Sequence, residues 1–345
     1  MTFNVKLLTA WQQVLQGCNL KPGESVVFLL APHAHPDHVA AGRAAASMLG
    51  ARVTSIELGE STVRAAGETT AYIGPTSLTG NVAATAAMKA ADLVVDMMGM
   101  NRGTEQQEIL DSGTRILLVK EPPEIFMALV PTAEDRRRTL ASAALLRKAR
   151  RLHATSTDGT DLTANLGEYQ LLVQYGLADE PGRWDHAPST FVATWPNERS
   201  ANGVVVLAPG TMILPFKDYV RTPVRLTVKD GYIRSIEGEL DARYLRDYMA
   251  KFDDPEGSAV SHLGWGLQKK AHWTAQGMYD KRESNAMEAR SFYGNFMFST
   301  GPNLEGGGTR DTPCHLDIPM LNCSLSLDGV KILDNEKLVP EEIRA

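Results

Sequence analysis

Residues 25–31 read SVVFLLA, a continuous apolar run with the length of one strand. Runs of this kind are typical of strands that are buried on both faces of a parallel sheet. Three further apolar runs follow at 51–58, 92–98 and 114–120. Helical patterns alternate with them at 5–17, 37–49, 81–91 and 105–112. This alternation predicts an α/β fold class with a mostly parallel sheet.

The pattern changes after a long predicted helix at 132–150. Asp158-Gly159 stands between two short alternating runs, which predicts a β-hairpin. Strand patterns at 204–213 and 224–236 follow, the second with a turn at Asp230-Gly231, and a helix is predicted at 242–252. We therefore predict an α/β domain at 1–150 and a β-rich, metal-binding catalytic domain at 151–345.

Composition narrows the class of protein. The chain has 345 residues, 43% hydrophobic content and a net charge of −6, and no basic stripe favours nucleic acid as a partner. No apolar run has the length of a membrane span, and the N-terminus lacks a signal-peptide pattern. Three cysteines without a C-x-x-C pair predict no disulfide framework. We expect a cytoplasmic protein that acts on neither nucleic acid nor membrane.

Candidate functional side chains are most concentrated at 298–319, FSTGPNLEGGGTRDTPCHLDIP. If His315 to Ile318 is extended, His315 and Asp317 point to the same face of the strand. An imidazole beside a carboxylate can hold a metal or relay a proton. The alternative is a polar edge strand with an ordinary His–Asp hydrogen bond.

His262, in SHLGWG, is a candidate partner for this pair. With His315 and Asp317 it makes two histidines and one carboxylate, the ligand set of non-haem Fe(II) sites with open positions. Their separation in sequence means that the fold would have to bring them together. Arg290 and Asn295, in ARSFYGNFMF, lie just before Ser299.

A second polar cluster is DEPGRWDH at 179–186. His186 could serve as a general base, because a neutral imidazole titrates near working pH. A charged surface turn is the alternative, and the sequence alone does not separate the two.

The N-terminal half carries a third cluster, PHAHPDHVAAG, with His33, His35 and His38. It resembles the zinc motif of metallo-β-lactamase-fold hydrolases, but the later ligands of that fold are missing from their expected surroundings. The structural alternative is a helix that opens at Pro36 and Asp37.

Eight segments of the chain carry a resemblance to one known family: DEPGRWDH, TWPNE, YLRDYM, SHLGWGLQ, ARSFYGNFMFSTGPN, TPCHLDIP, ETTAYIGPTSLTGN and GTRILLVKEPPE. They resemble the 2,5-dihydroxypyridine 5,6-dioxygenase family, ring-cleaving enzymes of bacterial nicotinate and pyridine degradation. The resemblance spans nearly the whole sequence. It implies an Fe(II) oxidoreductase that uses O2 to cleave the C5–C6 bond of 2,5-dihydroxypyridine, giving N-formylmaleamate. It also implies a scaffold related to metal-dependent aminopeptidases and assembly into a homo-oligomer.

The resemblance also implies roles for individual residues. It places iron on His262 and Asp317, with Ser299 or His315 as the third ligand. For the chemistry, we expect His186 to accept a phenolic proton from the ring, with Glu180 orienting it. We expect Arg290 and Asn295 to orient the ring. The catalytic, substrate-binding and metal candidates together are His186, Arg102, Glu180, Arg290, Asn295, His262, Asp317, Ser299 and His315.

Arg102 marks a departure from this family. Relatives carry a histidine at about this place, in the stretch that here reads MGMNRGTEQQE. Arginine stays protonated and cannot act as a base near neutral pH, but it can bind an anion. Two other functions remain as alternatives: a metal-dependent aminopeptidase or other zinc hydrolase on the related scaffold, and a small-molecule binding protein without iron.

Overall fold

The structure is a computed structural model that describes residues 4–59, 75–100 and 102–344. Within these ranges the α-helices are α1 (Val5–Gly17), α2 (Pro36–Met48), α3 (Val82–Lys89), α4 (Thr104–Asp111), α5 (Pro123–Ala128), α6 (Ala133–Lys148), α7 (Leu240–Ala250) and α8 (Met287–Ser291). The first ten strands are β1 (Ser25–Leu30), β2 (Arg52–Glu57), β3 (Leu93–Asp96), β4 (Arg115–Val119), β5 (Arg151–Ser156), β6 (Asp161–Asn165), β7 (Leu171–Gln174), β8 (Trp184–Ala187), β9 (Phe191–Thr194) and β10 (Asn202–Leu207). The others are β11 (Met212–Ile213), β12 (Asp218–Tyr219), β13 (Val224–Lys229), β14 (Tyr232–Gly238), β15 (Val260–Gly266), β16 (Phe296–Thr300), β17 (Leu316–Met320), β18 (Cys323–Leu327), β19 (Val330–Asp334) and β20 (Lys337–Leu338).

A parallel five-stranded sheet, in the order β2-β1-β3-β4-β8, occupies the N-terminal half. Apolar side chains cover both of its faces, which is why β1 reads as a continuous apolar run. The four strands predicted from the sequence are confirmed to within about two residues. The strand order reverses direction between β1 and β3. Open α/β sheets bind ligands in crevices at such reversals, outside the carboxyl ends of the strands.

The histidine cluster at 33–38 forms the start of α2. His35 caps the helix, its Nδ1 accepting from the main-chain nitrogen of Asp37, and Pro36 is the first helical residue. His38 is buried and accepts a hydrogen bond from Nε1 of Trp11 at 3.1 Å. The cluster therefore has the structural role that Pro36 and Asp37 predicted.

Two antiparallel sheets make up the C-terminal half. The larger has the order β14-β13-β10-β6-β5-β18-β19-β20, and the predicted hairpin turns at Asp158-Gly159 and Asp230-Gly231 are confirmed within it. The smaller has the order β17-β16-β15-β9-β7. Apolar side chains from both sheets share one large core. The mixed α/β fold class is confirmed.

Strand β8 connects the two halves of the sequence. It lies at 184–187 but pairs in parallel with β4, so that His186 stands beside Leu118. The sequence predicted a polar loop there, not a strand. The division into domains at residue 150 stays a prediction.

In the described part of the chain, no helix has the length and apolar character needed to cross a membrane. Residues 68–74 of the quoted segment ETTAYIGPTSLTGN lie outside the described residues.

Candidate metal centre

Three adjacent strands of the smaller antiparallel sheet carry His262, Ser299 and Asp317, and His315 lies directly before the last of them, β17. Ser299 on β16 is paired directly with Asp317 on β17, so the two side chains share one face. His262 lies on β15, where the pairing with β16 shifts register between Val260 and Leu263. Such irregularities redirect side chains beside functional sites. The sheet thus brings His262 to the face that Asp317 occupies.

The two imidazoles converge on one carboxylate oxygen. Oδ1 of Asp317 lies 3.0 Å from Nε2 of His262 and 3.3 Å from Nε2 of His315. All three side chains are buried, and their ligand atoms lie within 4.8 Å of one another. Residues 55 positions apart in sequence therefore meet at one point, as the sequence analysis required.

The third-ligand candidates are both oriented by the main chain. Nδ1 of His315 is 2.8 Å from the carbonyl oxygen of Thr300, a contact that needs the proton on Nδ1 and leaves Nε2 with its lone pair. Ser299 donates its hydroxyl proton to the carbonyl oxygen of His262 at 2.8 Å, which leaves the lone pairs of Oγ available. Both atoms retain the capacity to bind a cation.

The donor set fits a transition metal. Among the described residues, Oδ1 of Asp317 and Nδ1 of His262 are buried without an aligned hydrogen-bond partner. Buried polar atoms without such a partner are costly unless something else satisfies them, and a cation would satisfy Oδ1. Two imidazoles and one carboxylate suit Fe(II) and also other first-row metals.

Arg290 places a positive charge next to the candidate metal ligands. Its guanidinium forms an ion pair with Oδ2 of Asp317, whereas the imidazoles contact Oδ1. Burial alone would raise the pKa of this carboxyl, but Arg290 and the two imidazoles hold it well below 3.8. Burial also lowers the pKa of His262 below 6.5. At neutral pH the group is therefore an ionised carboxylate beside neutral imidazole, the state that binds a cation.

A cavity opens onto this group from the carboxyl end of the parallel sheet. It is lined by Asp96, Met100, Arg102, Gln106, Leu118, Lys120, Leu172, Gln174, Trp184, His186, Phe191, Leu214, His262, Asn285, Arg290, His315 and Asp317. Residues from both halves of the sequence therefore line this cavity.

His186 reaches this cavity from β8. It is 3% exposed, and its Nε2 has no hydrogen-bond partner within the described residues. Burial lowers the pKa of this imidazole well below 6.5, and the charges of Arg290, Lys120 and Arg102 lower it further. His186 is therefore neutral at physiological pH and can accept a proton.

Arg102 lines the cavity at the loop between β3 and α4. Its backbone is in the left-handed region, with φ of 58°, and Oε1 of Gln106 accepts from its main-chain nitrogen at 3.0 Å. The guanidinium pairs with Glu305 at 2.5 Å and lies 5.7 Å from the ring centroid of Trp184. Arg102 thus connects the parallel sheet to the glycine-rich loop at 304–308.

Three candidates do not line the cavity: Ser299, which is paired with Asp317 on the neighbouring strand, and Glu180 and Asn295, which lie elsewhere. Glu180 has a side chain that is 66% exposed and faces Arg136 at 3.8 Å. Instead, the neighbouring Asp185 contacts His186, through the main-chain nitrogen of the histidine at 2.8 Å. Asn295 is fully buried but does not line the cavity. Its amide contacts main-chain atoms only, including the carbonyl oxygen of Arg290.

Several cavity residues were not anticipated from the sequence. Asp96 and Lys120 stand at or just after the carboxyl ends of β3 and β4, a position that could have identified them once the strand order was known. Gln174 lies at the end of β7, where no sequence signal marks it.

Comparison with known proteins identifies the family to which this chain belongs. The family model described as NicX, 2,5-dihydroxypyridine 5,6-dioxygenase, matches residues 6–340. The chain belongs to the 2,5-dihydroxypyridine 5,6-dioxygenase family. The enzyme of that name from Pseudomonas putida KT2440 is 49% identical over 345 residues, with 99% of each chain covered. The resemblance found in the sequence is confirmed.

Solved structures agree with membership of the 2,5-dihydroxypyridine 5,6-dioxygenase family. The 2,5-dihydroxypyridine dioxygenase from Pseudomonas putida KT2440 superposes with a TM-score of 0.96 at 49% identity, and all of both chains is covered. AmpT from Thermus thermophilus has a TM-score of 0.65 at 16% identity, covering 98% of this chain and all of AmpT. The second likeness shows a shared fold only.

Proposed function

We propose that this protein is an Fe(II)-dependent dioxygenase that opens 2,5-dihydroxypyridine between C5 and C6. Both atoms of O2 enter the product, N-formylmaleamate, so no other co-reactant is needed. The observation that carries this proposal is the group His262, His315 and Asp317 at the end of a buried cavity, in a chain of this family.

The metal would bind to Nε2 of His262 and to the carboxylate of Asp317. Nε2 of His315 and Oγ of Ser299 compete for the third position, and each is oriented by a main-chain contact that leaves its lone pair free. Fe(II), when bound, supplies open coordination positions and the one-electron chemistry that O2 requires.

His186 would take the proton from a ring hydroxyl. Its imidazole is neutral, buried and unpartnered at Nε2, so the proton has an acceptor within the cavity. The same cations that lower the pKa of His186 also stabilise the ring anion that proton loss creates. Arg290 and Lys120 are the lining cations that would orient this anion.

Arg102 has a different role in this proposal. Arginine stays protonated, so Arg102 contributes positive charge and closes one side of the cavity through Glu305. We propose that His186 alone serves as the base in this chain. Glu180 and Asn295 act through neighbours, or not at all, because neither lines the cavity.

The wider setting is also proposed. Membership of the family supports a role in nicotinate or pyridine degradation. By the resemblance we propose a cytoplasmic homo-oligomer, with dihydroxypyridine and O2 as its small-molecule partners. Size-exclusion chromatography with light scattering would give the subunit number directly.

Anaerobic reconstitution tests the function. The purified protein is loaded with Fe(II), mixed with 2,5-dihydroxypyridine, and exposed to O2 while an electrode follows its consumption. We expect one O2 per ring and a product of the mass of N-formylmaleamate. Peptide hydrolysis with Zn(II) and no O2 uptake would instead support an aminopeptidase. That alternative is not favoured, because the described metal-binding group has one carboxylate only.

A further inference from the structure

The main chain at the start of α8, the helix that carries Arg290, is hydrogen-bonded to a buried carboxylate. Oε1 of Glu121 accepts from the main-chain nitrogens of Asn285 at 3.0 Å and Met287 at 2.9 Å. Met287 is the first residue of α8, and Asn285 lines the cavity. These contacts join residues 164 and 166 positions apart, so they fix the distance between two distant segments.

Glu121 is unusually placed for an acid. It follows β4, directly after the cavity residue Lys120, and is 2% exposed. Burial raises its pKa, while the hydrogen bonds with Met287, Ser284 and Asn285 lower it. A carboxylate in such surroundings is unfavourable, so its two main-chain contacts are a specific compensation.

Buried side chains also hold the far end of α8 and the segment before it. Nδ2 of Asn295 donates to the carbonyl oxygens of Ala289 at 2.7 Å and Arg290 at 2.9 Å. Nζ of Lys217, which is 2% exposed, donates to the carbonyl oxygen of Lys281. The short helix is therefore held at both ends.

Arg290 depends on this support. Its Nε is buried and finds no hydrogen-bond partner in the part of the chain that the structure describes, and its ion pair with Asp317 is made by the end of a long side chain. A five-residue helix has almost no stability of its own. A shift of α8 would consequently move the guanidinium relative to Asp317 and to the cavity.

We propose that Glu121 is a positioning residue of the active site: by holding the start of α8 it sets where Arg290 meets Asp317 and the substrate. The inference rests on the proposed function for its catalytic consequence, while the anchoring itself does not. Glu121 itself does not line the cavity and contacts it only through the main chain of Asn285.

A double-mutant cycle on the Fe(II)-loaded enzyme tests this. We expect Glu121→Ala to lower kcat/KM by roughly ten- to a hundredfold at unchanged iron content, because misplacement by about 1 Å has such a cost. Glu121→Gln keeps the Oε1 acceptor and should stay within a few-fold of wild type. If Glu121 acts through Arg290, the double variant Glu121→Ala/Arg290→Ala should match Arg290→Ala alone. If the loss of kcat/KM in the double variant equals the product of the losses in the two single variants, the proposal is wrong.

Hydrogen exchange gives a readout that does not depend on turnover. The amides of residues 285–291 should exchange faster in Glu121→Ala and not in Glu121→Gln. Unchanged exchange in Glu121→Ala would refute the anchoring, even if the wild type proved inactive on 2,5-dihydroxypyridine. Faster exchange with unaltered kinetics would show a purely structural contact and overturn the catalytic role.

Asp241 offers a matched control. Its carboxylate likewise accepts from two main-chain nitrogens, those of Arg221 and Thr222, and it does not line the cavity. Asp241→Ala should leave both kcat/KM and the exchange of 285–291 unchanged. If Glu121→Ala fails to fold, Glu121→Asp replaces it in the cycle, because the shorter side chain withdraws the carboxylate without removing its charge.

Discussion

At the scale of single residues, His186 makes the sharpest prediction. Its imidazole is buried and lines the cavity, and its Nε2 has no hydrogen-bond partner among the described residues. We expect His186→Ala to lower kcat by roughly a hundred- to ten-thousandfold, the usual contribution of a well-placed base. Stopped-flow O2 consumption would measure this. His153, exposed and paired with Asp161 at 2.8 Å, is the control whose replacement by alanine should change little. Turnover of His186→Ala within a few-fold of wild type would remove the base from the mechanism.

The pH profile follows from the same imidazole. Because burial and nearby cations hold the pKa of His186 well below 6.5, it stays unprotonated at neutral pH. The acid limb of kcat/KM that belongs to this base should therefore lie below pH 6.5, at lower pH than for a solvated histidine. A limb centred at or above pH 6.5, measured at constant iron content, would mean that another group titrates.

The third metal ligand can be assigned by affinity. Asp317→Asn and His262→Ala should each abolish stable Fe(II) binding, because each removes a ligand. Of Ser299→Ala and His315→Ala, only one should weaken binding by more than the roughly ten- to hundredfold typical of supporting residues. Competition against a Fe(II) chelator would rank them. Equal and small losses in both variants would mean that neither is a ligand.

Most of the metal group could be read from residue types. His262, His315 and Asp317 were identified because imidazole and carboxylate are the donors that metals need, and the structure brings them together. Arg290 was also placed in the cavity. Glu180 was misjudged as a partner for His186, since sequence proximity does not indicate on which side of a strand or turn a side chain emerges.

At the scale of elements, the packing of β15 requires the main chain of the neighbouring strand β9 to approach closely. A Cβ on Gly264 would lie 1.9 Å from the carbonyl oxygen of Val192, and this strand carries His262 two residues earlier. We expect Gly264→Ala to destabilise the fold by about 3 kcal/mol and to weaken metal binding. Urea unfolding and iron content would measure both. At Gly277 a Cβ meets nothing within 4 Å, so Gly277→Ala should be nearly neutral, and equal effects at both positions would contradict the packing argument.

Element prediction succeeded where the pattern was local. Apolar runs predicted the strands β1 to β4, and the helix predicted at 132–150 is confirmed as α6, which the structure shows to begin at a capping box of Thr132 and Asp135. Strand β8 could not be found in this way. Its sequence, WDHA, is four residues long and includes two polar side chains, and its pairing with β4 comes from tertiary contacts.

At the scale of the whole molecule, Lys217 links stability to pH. Burial lowers its pKa from 10.5 to about 8. Between pH 8 and 10.5 the unfolded chain keeps this proton while the folded chain has lost it, so this group makes the protein more stable as pH rises through that window. The free energy of unfolding of the wild type, relative to Lys217→Met, should rise by about 3 kcal/mol. A flat or falling difference in urea titrations would contradict the shift.

The overall class was predictable, whereas the arrangement around the cavity was not. Alternating runs predicted the parallel sheet, and turn residues predicted the hairpins that follow. How the two halves face each other depends on contacts such as that between Glu121 and Asn285, which leave no periodic signal in the sequence.

The placement of β8 has a consequence for the ancestry of the protein and for chimaeras. A strand encoded in the second half of the gene completes a sheet encoded in the first, so a recombination event near codon 150 would separate β4 from its partner. The residues Ile116 to Val119 and Trp184 to Ala187 pair across that boundary, so the side chains packed around the pair have to match. Viable hybrids between relatives should therefore more often keep both segments from one parent, because an exchange that divides them pairs β4 with a strand from the other relative.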